Sequence, residues 1–302
     1  MENTNKIPLI IDADPGIDDA LALIILSKNL KNFDLKLLTS CSGNTSIENT
    51  TKNLQFFAEN YFNGVKVAKG TDKHLSGVFA RAEDVHGANG LGGYKIGEPT
   101  YPVEDNAVEA IYNLLKDEKE KVVVVTLGPI TNYANLLLKH PDVKDKIEVI
   151  YAMIGSIEGT GNITPYAEFN AYVDPEALNI VANSGIKIIF NTIEMGNIAK
   201  IKQSVFAEKE VRNKTDEMIK VLCLSVVETL YPGYVQFYDP CSVMVLLHPE
   251  LFDFVRCNAQ ITTSGEEIGK CVLTEDKNGT CYYQKIKDLD KLLSCIMEEL
   301  YK

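Results

Sequence analysis

Apolar and polar positions form a repeating pattern along the chain, in which a short apolar run precedes a longer segment with apolar residues at helical spacing. Residues 9–11 (Leu-Ile-Ile) form such a run, and residues 20–26 are long and apolar enough to begin a buried helix. Residues 121–127 give the clearest strand, because the valines continue without alternation, which is typical of a parallel strand covered on both faces. The pattern therefore predicts strands that alternate with helices.

The same pattern continues over most of the remaining chain. It predicts strands at residues 35–38, 65–68, 148–153 and 186–190, and helices at residues 46–61, 103–116, 131–140, 203–230 and 239–247. A further helix begins at Pro175 with Asp174 as its N-cap, and residues 252–286 alternate like a hairpin before a last helix. Because no repeat, linker or low-complexity segment interrupts the pattern, we expect residues 1–302 to form a single α/β domain. Its core would be a doubly wound, mostly parallel β-sheet with helices on both faces, in a Rossmann-like arrangement.

Two polar stretches interrupt the alternation. Residues 70–102 contain few packing residues, and a loop of that length inside a compact chain is usually functional or disordered. Its glycine-rich part, residues 87–93, lacks the Gly-x-Gly-x-x-Gly spacing of a dinucleotide-binding turn, so we interpret it as a lid over a binding site. The second stretch, residues 155–170, follows a predicted strand.

Composition narrows the class of protein. Hydrophobic residues at 45% and charged residues at 24% are ordinary for a globular protein, whereas the net charge of −12 argues against a nucleic acid partner, which needs clustered Lys and Arg. No apolar run approaches the roughly 20 residues of a membrane span, and the first residues do not resemble a signal peptide. The seven cysteines are scattered without a Cys-x-x-Cys pair, so we expect free thiols in a reducing compartment and a cytoplasmic location.

Four aspartates lie between the first predicted strand and the first predicted helix. Asp12, Asp14, Asp18 and Asp19 surround a Pro-Gly turn, and open α/β sheets bind their ligands at such strand-to-helix turns. These like charges repel each other unless a cation lies among them, and Ca²⁺ is the commonest ion that takes several carboxylates. In the alternative interpretation, Asp14 caps the helix while Asp18 and Asp19 interact with its dipole. That alternative accounts for fewer of the carboxylates than a metal or polyol site does.

Other predicted strand ends add oxygen and amide groups to the same edge of the sheet. Parallel topology gathers the loops that follow the strands, so side chains far apart in sequence would converge. The set suits Ca²⁺ together with a sugar, because sugar hydroxyls coordinate the ion and hydrogen-bond to carboxylates. Besides the aspartates of the turn, the candidates are Asn44, the Leu127 carbonyl, Asn162, Glu168, Asn170 and Asp239.

The acidic turn, Asp-x-Asp-Pro-Gly-x-Asp-Asp-Ala at residues 12–20, resembles the signature of the nucleoside hydrolases, the inosine-uridine preferring N-ribohydrolase family. Further blocks are similar to motifs of that family and follow in the family's order. They are Ser-Gly-Asn at 42–44, Val-His-Gly at 85–87, Leu-Gly-Pro-Ile-Thr-Asn at 127–132, residues 161–170, Asp-Pro-Glu-Ala at 174–177 and Asp-Pro at 239–240. The resemblance covers residues 8–250, and several ordered blocks are more specific than one acidic turn.

The resemblance implies a nucleoside hydrolase-like fold, Ca²⁺-dependent hydrolysis of the N-glycosidic bond of a ribonucleoside to ribose and free base, and a homodimer or homotetramer. By these motifs, Asp14 would bind the ion and act as the base on the attacking water. Asp19, Asp239 and the Leu127 carbonyl would complete the metal site, and Asp12 would be structural. The implied substrate-binding residues are Asp18 and Asn170 for the 2′- and 3′-hydroxyls, Asn162 and Glu168 for the 5′-hydroxyl, and Asn44 and Met153 in the ribose pocket.

The chain departs from the family pattern at Tyr238. Members that use general-acid catalysis have a His directly before the last metal-binding Asp, whereas a phenol, with a pKa of about 10, is a poor proton donor at neutral pH. The sequence also has no Trp to stack on a purine base. We therefore expect Tyr238, in an aromatic cluster with Tyr231, Tyr234 and Phe237, to stack on the nucleobase, and His86 to be the other candidate acid.

Two other functions fit parts of the sequence. A strand followed by Asp-x-Asp also occurs in phosphatases that form an aspartyl phosphate, and these would use Asp12, Asp14 and a strand that ends at Thr126. Such phosphatases would prefer Mg²⁺ and would have no use for the Glu-Phe-Asn block at residues 168–170. The second alternative is a non-catalytic nucleoside- or ribose-binding protein, which Tyr238 in place of the His suggests.

Overall fold

The structure, a computed structural model, describes residues 6–76, 80–226 and 232–302. Its strands are β1 (Ile7–Ala13), β2 (Phe33–Ser40), β3 (Lys66–Ala68), β4 (Val122–Thr126), β5 (Ile147–Met153), β6 (Ile188–Asn191), β7 (Lys200–Lys202), β8 (Tyr234–Gln236), β9 (Phe252–Ile261), β10 (Cys271–Glu275) and β11 (Cys281–Ile286). Its helices are α1 (Ile17–Ser27), α2 (Ile47–Tyr61), α3 (Glu83–His86), α4 (Ala107–Asp117), α5 (Thr131–Lys139), α6 (Phe169–Val173), α7 (Pro175–Ala182), α8 (Ile193–Ile198), α9 (Gln203–Glu208), α10 (Lys214–Ser225), α11 (Tyr238–Leu247) and α12 (Leu289–Tyr301).

The first strand and helix illustrate why the apolar pattern produces these elements. Every residue of β1 after Ile7 is buried, because the strand pairs in parallel with β2 on one side and with β4 on the other. Helix α1 is apolar over most of its length and begins after Gly16, whose amide donates to the Asp19 carboxylate at 2.9 Å. Asp14 does not cap this helix, so the capping interpretation of that residue is wrong.

Nine strands form one sheet in the order β10-β9-β11-β6-β5-β4-β1-β2-β3. The strands from β3 to β11 in this order run parallel to their neighbours, and β9 and β10 extend the sheet in antiparallel fashion. From β1 the chain adds β2 and β3 on one side and then β4, β5 and β6 on the other. The strand order therefore reverses between β1 and β4, which is the position where open α/β sheets bind ligands.

Hydrophobic side chains pack on both faces of the sheet. Alternate residues of the central strands point to opposite faces, so that Ile11 and Val125 belong to one core and Ile10 and Val124 to the other. Helices α1, α2, α10, α11 and α12 contribute to the first core, and helices α4, α5 and α7 to the second. The predicted class, a doubly wound and mostly parallel α/β sheet with helices on both faces, is confirmed.

The structure corrects several predicted boundaries. The single helix predicted at residues 203–230 is wrong, because α9 ends at Glu208 and α10 begins after Asn213, whose side chain accepts a hydrogen bond from the Asp216 amide. The rest of that prediction, residues 227–230, lies outside the described residues. The helix predicted from residue 103 begins four residues later, after Asn106, which caps it. Helix α8 and the antiparallel pair β7–β8 were not predicted.

In the described ranges, no helix is long and apolar enough to cross a bilayer.

All seven cysteines lie within the described ranges, where they are free thiols and six of them are buried.

Asp174 ties three separate segments together at one edge of the second core. Its carboxylate accepts from the Ala177 amide at 3.2 Å, which confirms the predicted N-cap of α7. It also accepts from the amides of Leu75 and Ser76, at 3.0 and 3.3 Å, and from the Thr131 hydroxyl at 2.7 Å. The carboxylate is fully buried, so these donors have no water to replace it.

We expect Asp174→Ala to lower the free energy of unfolding by about 2–4 kcal/mol, because it removes a helix cap and leaves buried donors without an acceptor. Asp288→Ala is the matched control, since the exposed Asp288 caps α12 through one bond to the Lys291 amide and its loss should cost about 1 kcal/mol. Urea unfolding of both variants measures the difference. Equal losses would show that Asp174 acts only as a cap.

Candidate functional site

The acidic turn lies at the point where the strand order reverses. Asp12, near the end of β1, pairs with Thr39 of β2 and with Thr126 of β4, so these three parallel strands end at the same level. The Leu127 amide, directly after β4, donates to the Asp12 carbonyl at 2.8 Å. The loops that follow the central strands therefore open at one edge of the sheet, as the sequence predicts.

The Asp14 carboxylate fits between two glycines. A Cβ atom on Gly43 would overlap with Asp14 Oδ2, and a Cβ atom on Gly128 would overlap with Oδ1. Any larger residue at either position would displace the carboxylate. The Asn44 amide donates to Oδ2 at 2.7 Å and fixes the carboxylate in this gap. The Ser-Gly-Asn and Leu-Gly-Pro blocks of the sequence thus serve the same aspartate.

Asn44 connects the first aspartate of the site to the second. Its side-chain Nδ2 donates to Asp19 Oδ2 at 2.9 Å and to the Asp14 carbonyl at 3.2 Å. Asp19 Oδ2 also accepts from the Gly16 amide, so this oxygen is held on two sides. Oδ1 of Asp14 and Oδ1 of Asp19 are buried without a hydrogen-bond partner among the described residues.

Asp239, which lies in the first turn of α11, joins the acidic cluster from a distant part of the sequence. Carboxylate oxygens of Asp18, Asp19 and Asp239 lie within 4.8 Å of one another. Asp14, Asp19 and Asp239 are almost completely buried. Several acidic groups therefore share a space from which water is largely excluded.

Burial and mutual repulsion disfavour the charged forms of these groups. Burial raises the pKa of Asp14 well above its ordinary value, and the nearby Asp19 carboxylate adds to the effect. Burial also raises the pKa of Asp239 well above its ordinary value, followed by repulsion from Asp18 and Asp19. The pKa of Asp19 rises to about 7 for the same two reasons, burial first and then the charge of Asp18. Without a positive partner, the cluster is held at an electrostatic cost.

The donor set fits a hard divalent cation. Such ions take carboxylate and carbonyl oxygens, and Asp14 Oδ1 and Asp19 Oδ1, both buried without a hydrogen-bond partner among the described residues, are donors of that type. The Leu127 carbonyl is close to the same edge and accepts from Asn170 Nδ2 at 2.9 Å, which leaves its second lone pair for another ligand. A cation among these oxygens would offset the repulsion between the carboxylates.

Asp12 is hydrogen-bonded to residues that are not part of this cluster. Its carboxylate accepts from the Thr39 hydroxyl and from Asn132 Nδ2, the latter at 2.7 Å, and the residue is fully buried. Burial raises its pKa to about 7. These contacts join β1 to β2 and α5, which agrees with the structural role expected for this residue.

A cavity of about 420 Å³ opens beside the acidic cluster. Of the predicted site residues, Asp14 and Asp19 lie beneath its wall, Tyr234 is not part of the wall, and all the others line it. The lining residues are Ile17, Asp18, Asn44, Arg81, Ala82, Asp84, Val85, His86, Leu127, Met153, Asn162, Ile163, Glu168, Phe169, Asn170, Val226, Gln236, Tyr238 and Asp239. A larger cavity, of about 860 Å³, lies near Lys69 and His74 and includes none of the predicted site residues.

One wall of the 420 Å³ cavity consists of polar side chains held by backbone groups. Glu168 caps α6, and its two carboxylate oxygens accept from the amides of Gly155, Asn170 and Ala171 at 2.8–3.0 Å. Burial raises its pKa to about 7 despite these bonds. Asn162 Oδ1 accepts from the Phe169 amide at 3.0 Å, which leaves its Nδ2 donors for a ligand.

Asn170 reaches across two strand ends. Its Nδ2 donates to the carbonyls of Leu127 and Met153, both at 2.9 Å. These bonds fix the amide between β4 and β5 and do not use Oδ1. The wall is therefore positioned by the ends of the parallel strands.

His86 closes another side of the cavity and is oriented by helix α1. Its Nδ1 accepts from the Ile17 amide at 3.0 Å, so the proton of the neutral ring lies on Nε2. Burial lowers the pKa of His86, while Asp18 and Asp84 oppose that shift. At neutral pH the ring is a neutral hydrogen-bond donor.

Tyr238 is held by helix α8. Its ring lies against Gly196, where a Cβ atom would overlap with ring carbons, and its hydroxyl donates to Asn197 Oδ1 at 3.0 Å. The ring is thus fixed on the cavity wall, and the Asn197 side chain fixes the orientation of its hydroxyl. The predicted aromatic cluster is only partly assembled, because Phe237 packs in the core, Tyr234 lies near Lys200, and Tyr231 is outside the described residues.

Several lining residues were not predicted from the sequence. Ile163 and Phe169 lie inside the polar loop block that was singled out for its amides and carboxylate. Gln236 was also missed, although the alternation of polar and apolar residues could have identified it. Gln236 and Tyr238 alternate with Val235 and Phe237, both of which are buried in the core. Arg81 gave no such signal, because it lies in the long polar loop.

Comparison with known proteins agrees with this geometry. The sequence model of the inosine-uridine preferring nucleoside hydrolases matches residues 9–293. The chain belongs to this family. The resemblance carried by the acidic turn and the ordered blocks is therefore confirmed, and so is the enzyme class, N-glycosidic hydrolase.

The proteins to which this chain is similar include enzymes named for different substrate specificities. It is 36% identical over 268 residues to the pyrimidine-specific ribonucleoside hydrolase RihA of Escherichia coli O1:K1, with 86% of each chain covered. Among solved structures, the plant nucleoside hydrolase PpNRh1 is similar with a TM-score of 0.90 at 23% identity, over 97% of this chain and 98% of that one. The purine-preferring ribonucleoside hydrolase of Gardnerella vaginalis has a TM-score of 0.88 at 25% identity, over the same shares.

The acidic cluster predicts how pH and a divalent cation affect stability. The folded-state pKa values of the buried carboxyls lie above the ordinary aspartate value of about 4, so the folded state retains protons that the unfolded chain releases. In the presence of a chelator, stability should therefore fall as the pH rises from about 4 through about 7. Added Ca²⁺ should raise the melting temperature, and more at pH 8 than at pH 6, because protons compete with the ion.

Asp239→Asn tests the cluster directly. The variant should be at least as stable as the wild type in chelator at pH 8, since one of the repelling charges is gone, and it should lose the Ca²⁺-dependent increase in melting temperature. Asp142→Asn removes an exposed carboxylate and should leave that increase unchanged. Differential scanning fluorimetry measures both. A wild-type protein whose melting temperature ignores Ca²⁺ would contradict the prediction.

Proposed function

We propose that the chain is a Ca²⁺-dependent ribonucleoside hydrolase that releases ribose and a free base, with pyrimidine ribonucleosides as its preferred substrates. The observation that carries the proposal is the buried Asp14 carboxylate beneath a nucleoside-sized cavity, with one oxygen unpartnered and three further carboxylates around it. The pyrimidine preference is supported by the similarity to RihA, a pyrimidine-specific ribonucleoside hydrolase that is 36% identical to the chain.

The ribose would bind against the polar wall. Asp18 and Asn170 are assigned to the 2′- and 3′-hydroxyls, and Asn162 and Glu168 to the 5′-hydroxyl. Backbone donors already orient Glu168: its Oε2 accepts from the Gly155 and Ala171 amides, whereas Oε1 accepts only from the Asn170 amide and keeps a lone pair for a substrate hydroxyl. Asn44 and Met153 would complete the pocket around the sugar. These groups would hold C1′ of the sugar close to the acidic cluster.

Asp14 is assigned as the general base. As the bond from C1′ to the base nitrogen breaks, its electron pair leaves with the base, and positive charge develops on the ribose ring. Water adds its oxygen to C1′ and gives a proton to Asp14. The anionic side chains at the cavity floor would stabilise the developing positive charge.

Asp14, Asp19, Asp239 and the Leu127 carbonyl are assigned to the cation. These are hard oxygen donors of the kind that Ca²⁺ prefers. When bound, the ion would neutralise the repelling carboxylates and make the attacking water easier to deprotonate.

The base would lie between His86 and Tyr238. Neutral His86 can donate a hydrogen bond from Nε2 to the leaving base, since Nδ1 is occupied by the Ile17 amide. Tyr238 offers its ring face, because its hydroxyl is bonded to Asn197. We therefore assign leaving-group stabilisation to His86 and base stacking to Tyr238.

The two other functions are less well supported. An aspartyl phosphatase would have no use for the Asn162, Glu168 and Asn170 side chains that line the cavity beside the acidic cluster. A non-catalytic binding protein would have no use for a buried carboxylate such as Asp14, whose Oδ1 has no hydrogen-bond partner among the described residues. A homodimer or homotetramer and a cytoplasmic location stay predictions.

A reducing-sugar assay across purine, pyrimidine and modified ribonucleosides tests the proposed function. We expect ribose release that chelator abolishes and Ca²⁺ restores. Asp14→Ala should lower the rate by about 10²–10⁴-fold with the fold intact by circular dichroism, as is typical for loss of a general base. Asp142→Ala, an exposed control, should keep the wild-type rate.

Three outcomes would overturn the proposal. Wild-type rates in Asp14→Ala would show that the assigned base is wrong. Release of phosphate from a phosphomonoester, without ribose from nucleosides, would favour the phosphatase. Tight nucleoside binding by calorimetry, without turnover in Ca²⁺, would favour the binding protein.

A pair of substitutions separates stacking from proton donation at Tyr238. Tyr238→Phe keeps the ring and should retain kcat/KM within about fivefold, because it removes a hydroxyl that is bonded to Asn197 and leaves the stacking surface in place. Tyr238→Ala removes the ring and should lower kcat/KM by about 10- to 100-fold, the usual effect of losing base stacking on an aromatic side chain. Equal losses in the two variants would show that the phenol is the proton donor.

A further inference from the structure

Gln236 carries an unsatisfied donor on the wall of the 420 Å³ cavity. The residue is 5% exposed, and its Nε2 group has no hydrogen-bond partner among the described residues. Its backbone is paired with Lys200 across the β7–β8 ladder, so the main chain is fixed while the side-chain amide is not. Buried amides normally find partners, because leaving one unpaired costs free energy.

The position of Gln236 follows from alternation along β8 and into α11. Val235 and Phe237 pack into the core, whereas Gln236 and Tyr238 line the cavity. Asp239 follows directly and belongs to the acidic cluster. The chain therefore passes from the acidic cluster at Asp239, through the ring of Tyr238, to the amide of Gln236.

This order places the amide beside the Tyr238 ring, on the base side of the cavity. A base stacked on the Tyr238 ring presents its edge, not its face, to neighbouring side chains of the wall. The edge groups next to the glycosidic nitrogen are acceptors in every common nucleobase, a carbonyl oxygen at C2 of a pyrimidine and a ring nitrogen in a purine. Gln236 offers the donor that such an acceptor needs.

We propose that the Gln236 amide donates a hydrogen bond to the C2 carbonyl of a pyrimidine nucleoside and stabilises the departing base. This inference rests on the proposed function, because it assigns a further residue to the same reaction. It makes Gln236 a specificity-determining residue that contacts the substrate.

The hydrogen bond would strengthen during the reaction. When the bond between C1′ and the base nitrogen breaks, the electron pair passes to the base, and the C2 oxygen carries part of the negative charge. Gln236 keeps its proton throughout, so the base leaves as an anion and later takes a proton from water. A donor that binds the anion more strongly than the neutral base lowers the barrier rather than only the KM.

The experiment compares Gln236→Met with the wild type on three substrates. Met has a similar length and no hydrogen-bond donor. Uridine has carbonyls at C2 and C4, a pyrimidin-2-one ribonucleoside has only the C2 carbonyl, and p-nitrophenyl riboside has neither. Gln260→Met, on the exposed part of β9, is the matched control for the substitution itself.

We expect Gln236→Met to lower kcat/KM by about 10- to 100-fold for uridine and for the pyrimidin-2-one ribonucleoside, mainly through kcat, as for loss of a bond to a group that becomes charged. Hydrolysis of p-nitrophenyl riboside and the melting temperature should not fall, because the Nε2 group has no hydrogen-bond partner to lose within residues 6–76, 80–226 and 232–302. Gln260→Met should match the wild type throughout.

Other results would overturn the inference. Equal losses on all three substrates would indicate a structural role for Gln236, and a loss on uridine alone would place its contact at C4. A Gln236→Met enzyme with wild-type rates would show that the amide does not contact the base. If the wild type itself releases no ribose from any nucleoside, the proposed function fails, and this outcome is distinct from the others.

Discussion

Repulsion between buried carboxylates is the constraint on which the rest of the site depends. Asp14, Asp19 and Asp239 are taken out of water, and burial raises the pKa of each. Neutral groups, such as the amides of Gly16 and Asn44, hold the Asp19 and Asp14 carboxylates in place. Such an arrangement costs free energy in the protein alone and leaves the charge of the cluster available to a divalent ion.

The sequence motifs can be understood as consequences of that arrangement. Gly43 and Gly128 are required because the Asp14 carboxylate occupies the space that their Cβ atoms would need. Asn44 is required because one side chain must reach Asp14 and Asp19 together. Motifs that are far apart in sequence thus meet at one carboxylate, and parallel strands with a reversal of order between β1 and β4 bring them there.

The fold, and the convergence of most candidate site residues on one cavity, could largely be predicted from the sequence, because both depend on the ends of regular strands. Valine runs and helical spacing identify β4 and its neighbours, and the polar residues that follow them converge by topology. The prediction failed where tertiary contacts decide the structure. Asn213 starts a new helix within a continuous helical pattern. Tyr234 and Gln236 lie on the same side of β8, but Gln236 lines the cavity and Tyr234 does not.

The two halves of the cavity are held by different parts of the fold, and this difference bears on specificity. Asn170 and the acidic cluster are fixed by the parallel sheet, so the ribose position that we propose is tied to the core. His86, Tyr238 and Gln236, which we assign to the base, come instead from a short helix in a long loop, from the start of α11 and from the end of β8. On this assignment, substitutions there can change the base that is accepted without disturbing the sheet. This division agrees with the shared fold of relatives that are named as pyrimidine-specific in one case and purine-preferring in another.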